Sequence, residues 1–122
     1  MAALSKEVFY FQIIKPDNSF SVSILSDGVI KLKETRSGKK QEAEKKISLD
    51  MLSSFFLELE ELGFYSWPPN MDCCACYDSS WDVMADYDGK KKRCFGVFGF
   101  EPDTWPNFLT LVERSIDIKL LL

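Results

Sequence analysis

The chain has 122 residues, 46% hydrophobic and 28% charged, with a net charge of −4. That length suits one domain with its own core, and 1–122 is expected to fold as a single domain. The acidic balance opposes non-specific nucleic-acid binding, which depends on neutralising phosphates, and no window approaches the ~18 apolar residues of a membrane span.

Met1 to Lys6 has no apolar stretch, and Val8 to Ile14 is too short for the apolar region of a secretory signal, so a cytoplasmic location is expected. Val8 to Ile14 reads as a strand that is apolar on both faces, which places it centrally in a sheet. Pro16-Asp17-Asn18-Ser19 is a turn cluster. Phe20 to Leu25 alternates apolar and serine residues, and Val29 to Lys33 alternates after Asp27-Gly28. Asp-Gly between alternating strands predicts a hairpin, because both central residues of a type I′ turn need positive φ. Ser37-Gly38 marks another turn. The charged stretch Lys39 to Lys46 reads as an exposed edge strand, where lysine discourages unwanted pairing.

Ser48 is the expected N-cap of a helix from Leu49 to Leu62, with Ile47 and Leu52 at the staple positions. Leu52, Phe55, Phe56, Leu59 and Leu62 form its apolar stripe, and Gly63 is placed to end it. Phe64 to Asp78 reads as a loop. Trp81 to Tyr87 and Lys90 to Phe100 form a second hairpin around Asp88-Gly89, and glycines inside the returning strand suggest close backbone approach. The basic run Lys90 to Arg93 reads as a solvated strand start. A second helix is expected from about Thr104, with Pro106 in its first turn and Trp105, Phe108, Leu109, Val112 and Ile116 on its buried side. The expected fold is α+β: one antiparallel sheet of five to six strands with two helices on one face, in the order β-β-β-β-α-β-β-α.

The hairpin-helix first half, and a second half running Cys94-Phe-Gly-Val-Phe-Gly-Phe into Glu-Pro-Asp-Thr-Trp-Pro-Asn-Phe, resemble small uncharacterised bacterial α+β proteins. The resemblance covers most of the chain in element order. It implies a fold and a bacterial origin, and no activity.

There is no histidine, which removes Ser-His-Asp and Cys-His catalysis and histidine metal ligation. Cys73, Cys74, Cys76 and Cys94 are the candidate metal or redox residues. Zinc is the ion four thiolates would suit, but one crowded group plus a lone strand cysteine departs from the paired spacing of structural zinc sites. Cys73 and Cys76 have redox spacing without a clear following helix. The favoured reading is small buried apolar residues, with no cofactor. Asp82 and Asp86 share one strand face and form a carboxylate pair, read as solvent-facing; a calcium loop with Gly89 at its sixth position fails because Met84 and Phe95 then fall at the first and twelfth positions, where ligands are required. No phosphate-binding glycine loop occurs. Tyr65, Trp67, Tyr77 and Trp81 concentrate aromatic residues in and beside the long loop. They serve either as cover for one end of the core or as anchors for another protein. The leading functional expectation is a non-catalytic interaction protein using the loop 64–81, and the alternative is a cysteine-based metal or redox protein.

Overall fold

A computed structural model describes residues 6–71, 79–97 and 101–116. Six long strands form one antiparallel sheet: β1 Glu7–Ile14, β2 Asn18–Leu25, β3 Val29–Arg36, β4 Lys39–Lys46, β6 Ser80–Tyr87 and β7 Lys90–Val97. A two-residue strand, β5 Asn70–Met71, lies parallel to β7 at Phe95 and Gly96. The spatial order is β4-β3-β2-β1-β6-β7-β5. Helices α1 Leu49–Glu61 and α2 Trp105–Ile116 complete an α+β architecture. The element order is the expected one, with β5 and a 3-10 turn at Phe64–Ser66 added within the stretch read as loop.

Strand alternation sorts the side chains between the side the helices cover and the open side. Phe9, Phe11 and Ile13 of β1 lie opposite Ile24, Val22 and Phe20 of β2 and opposite Ala85, Val83 and Trp81 of β6. Cross-strand partners share a sheet face, so these side chains form one apolar layer, nearly all of it buried. α1 adds Leu52, Phe55, Phe56 and Leu59, and α2 adds Trp105, Phe108, Leu111, Val112 and Ile116. The stripe of α2 includes Leu111, with Leu109 only partly buried.

Aromatic rings carry much of this layer. Phe9 meets Phe55 edge to face at 4.8 Å, and Phe11 meets Phe108 at 5.0 Å. Such pairs add about 0.5–1.5 kcal/mol beyond their area burial. Trp105, at the start of α2, lies 4.9 Å from Trp81 of β6. At the other end of α2, the Ile116 carbonyl accepts a hydrogen bond from Lys45 Nζ of β4 at 2.9 Å. One helix therefore ties the two halves of the sheet together.

The helix ends follow local chemistry. Ser48 Oγ accepts from the Met51 amide at 3.1 Å, which satisfies one orphan N–H of α1. Beyond α1, the Gly63 amide donates to Glu60 O.

Turn chemistry departs from expectation once. Asp88 and Gly89 have φ of 51° and 77°, and Ser37 and Gly38 have 50° and 80°. Both pairs fit type I′ turns. At Asp27-Gly28 only Gly28 is left-handed, at φ 92°. The Gly28 amide donates to Leu25 O, and Asp27 Oδ1 accepts from Val29 N at 3.1 Å. This is a three-residue loop with a glycine bulge rather than a two-residue turn. The reason is tertiary: Gly28 O accepts from Ile47 N as the chain leaves β4, and a Cβ on Gly28 would overlap the Ile47 carbonyl oxygen.

Gly28→Ala should therefore cost about 3 kcal/mol, combining left-handed backbone strain with that overlap. Gly38→Ala, with nothing near its would-be Cβ, should cost only about 1 kcal/mol. Urea unfolding of both variants checks the difference; equal losses would remove the close approach from the explanation.

Candidate functional site

The cysteine reading meets the structure at one described residue. Cys94 of β7 is fully buried, opposite Val83 on the helix-covered face. Cys73, Cys74 and Cys76 lie outside the described residues, as does Tyr77. Among the described residues, no group of three His, Cys, Asp or Glu side chains gathers to hold a metal ion.

The aromatic candidates divide. Trp67 is 5% exposed and Trp81 1%. Their rings pack edge to face at 6.3 Å, and Trp67 Nε1 donates to Thr104 Oγ1 at 3.0 Å. Both indoles thus cover the core and bind the loop to the start of α2. Gly96, opposite Trp81, brings no side chain to that row. Trp81 Nε1 is buried with no acceptor among the described residues. Tyr65 reaches the surface, with Lys90 Nζ over its ring at 5.7 Å and that ammonium paired to Glu60. Burial first, then Glu60 and Asp86, raise the Tyr65 phenol above its usual range.

The opposite face of the sheet is the one the helices leave uncovered. On it β1 presents Tyr10, Gln12 and Ile14, β6 presents Ser80, Asp82, Met84 and Asp86, and β7 presents Lys91, Arg93, Phe95 and Val97. Asp82 and Asp86 do share this face, and each is neutralised. Arg93 grips both Asp82 oxygens at 2.7 and 3.2 Å, and Lys6 lies 2.9 Å from Asp86. The Asp82 bond, reinforced by its charge, raises the Arg93 pKa further. Two carboxylates each held by its own cation make a poor acid-base pair.

Beside the Asp82–Arg93 pair and beyond it, on the side away from Asp86, the face carries exposed apolar side chains. Ile14 is 44% exposed and Phe95 42%. Ile14, Ser80 and Val97 form one cross-strand row, and Gln12, Asp82 and Phe95 form the next. These rows lie at the end of the sheet where the long loop attaches. Met71 of β5 pairs with Gly96, and Ser80 of β6 pairs with Val97. Sequence reading did not single out Ile14 or Phe95. The signal was present in β7, where Cys94 and Gly96 take the buried positions and leave Phe95 and Val97 to the open face.

Burial pushes the Cys94 thiol above its ordinary value of 9.0, with Lys92 opposing and Asp82 assisting. The folded state therefore holds that proton more tightly than the unfolded chain. Stability contributed here is intact below pH 9.0 and falls as pH rises from there towards the raised folded value. In a Cys73→Ser, Cys74→Ser, Cys76→Ser background, urea unfolding across that window should show the fall, and Cys94→Ala should lessen it. Disulfide-reagent labelling of Cys94 at pH 8 should be slower than in the unfolded chain by roughly 100-fold.

No helix among the described residues is long and apolar enough to cross a membrane. No protein-family model matches the chain, and no curated protein matches it.

Proposed function

We propose that this chain is a non-catalytic interaction module that binds another protein through the loop end of its open sheet face. The contact would centre on Ile14 and Phe95, at the end of the sheet where the loop 64–81 attaches. The observation that carries this reading is the exposure of Ile14 and Phe95 on neighbouring cross-strand rows, at 44% and 42%.

Exposed apolar residues scattered singly are normal on a soluble surface, but a contiguous set beside a polar rim marks a contact site. Here Val97 lies two residues from Phe95 and in the row of Ile14, with Ser80 between them, and the Arg93–Asp82 pair stands directly beside Phe95. A paired rim costs a partner little desolvation, while an apolar centre supplies the binding energy. The non-catalytic part rests on residue types. No histidine is present, Cys94 is buried, and Asp82 and Asp86 are bound to cations.

A photo-crosslinking amino acid at position 95 should capture one discrete protein in cells, and the same residue at position 110, on the solvent side of α2, should not. Adding Ile14→Glu should reduce the captured product by about tenfold or more, consistent with loss of a central apolar contact. Equal capture at both positions, or capture indifferent to Ile14→Glu, would overturn this reading. A crosslinked species of twice the chain mass would make the face an interface between copies.

A further inference from the structure

The free edge of β4 lies at the far side of the sheet from Phe95. The Ser37-Gly38 turn makes Arg36 and Lys39 a hydrogen-bonded pair. Alternation then directs the backbone groups of residues 39, 41, 43 and 45 towards β3. The N–H and C=O of Lys40, Glu42, Glu44 and Lys46 point outward. The bond from Ile47 N to Gly28 O continues the same pattern. No described strand occupies this eight-residue edge.

The same four residues place their side chains on the open face, because Ala43 lies opposite buried Leu32. Along the edge their charges read plus, minus, minus, plus. None of the four forms an ion pair among the described residues. Behind the two glutamates stand Lys33, opposite Glu42, and Lys31, opposite Glu44. Charge thus alternates from one strand to the next, and a following strand would continue the alternation with basic residues beside Glu42 and Glu44.

We propose that the β4 edge accepts an added strand from a partner whose alternate residues run acidic, basic, basic, acidic. The edge lysines still reject apolar strands. A second copy paired about Ala43 is also disfavoured. Centred on Ala43, two β4 strands would place Glu42 against Glu44 and Lys40 against Lys46, and like charges directly opposite are destabilising. A complementary strand gains backbone hydrogen bonds from the outward groups and an opposite charge at each position. Because plus-minus-minus-plus is the same read in either direction, charge admits both parallel and antiparallel entry. This site does not depend on the open-face contact, so either can fail alone.

The test uses two capped synthetic peptides of equal composition: Glu-Thr-Lys-Thr-Lys-Thr-Glu and its charge-exchanged form Lys-Thr-Glu-Thr-Glu-Thr-Lys. Backbone amide shifts are followed by NMR at about 20 mM salt, where exposed charges are weakly screened. The first peptide should move the amides of Lys40, Glu42, Glu44 and Lys46, and bind at least about tenfold more tightly than the second. The variant Lys40→Glu, Glu42→Lys, Glu44→Lys, Lys46→Glu, with its own spectrum confirming the fold, should reverse that preference. Equal binding of both peptides, no binding of either, or shifts confined to other strands would overturn the proposal.

Discussion

The ring of Phe108 is where the fold closes. It packs against Phe9 and Phe11 of the two-sided central strand β1, against Phe64 and Trp67 of the segment after α1, and against Trp105 of its own helix. These rings come from three separate parts of the chain, and together they surround a fully buried Phe108. Close-packed interiors tolerate little change in volume. The position of α2, the course of the loop after α1 and the burial of β1 are therefore set together rather than one at a time.

Packing both helices on one side leaves the sheet two unlike faces. The covered face takes Phe9, Phe11, Trp81 and Cys94 of the strands and receives the rings of both helices. The open face keeps the serines of β2, the lysines of β3 and the ion pairs of β6 and β7. An antiparallel sheet can be solvated on one side provided that side is polar. Most of this one is, and that makes exposed Ile14 and Phe95 near the loop stand out. The interaction reading grows from that contrast between strands that obey the alternation and two exposed positions that break it.

The residues most suggestive of chemistry in the bare sequence are largely used for structure where they are described. Trp67 and Trp81 form an edge-to-face indole pair, and Trp67 donates a hydrogen bond to Thr104. Cys94 fills a small position opposite Val83. Asp82 and Asp86 balance Arg93 and Lys6. Such side chains are costly to bury or expose without partners, and the fold supplies partners to nearly all of them; Trp81 Nε1 is the one left without an acceptor among the described residues.

Much of the architecture was legible without coordinates because it rests on local rules. Alternation in β1, β2, β3 and β6, the Ser48 cap, the stripe of α1 and the positive-φ pair Asp88-Gly89 are each decided within a few residues. The charged composition of Lys39 to Lys46 likewise identified an edge. Other features needed distant partners. The Asp27-Gly28 dipeptide suits either of two turns, and the bond between Gly28 O and Ile47 N selects one. Trp67 lies in a proline-rich stretch with no periodicity, and its contacts with distant Trp81, Thr104, Trp105 and Phe108 make it a core residue. β5 is too short to carry a pattern and exists because β7 offers it an edge. Ile14 and Phe95 are apolar in a strand context that sequence alone assigns to burial. Only the placement of both helices on the other face leaves them exposed, since a period of two says which residues share a face but not which face is covered.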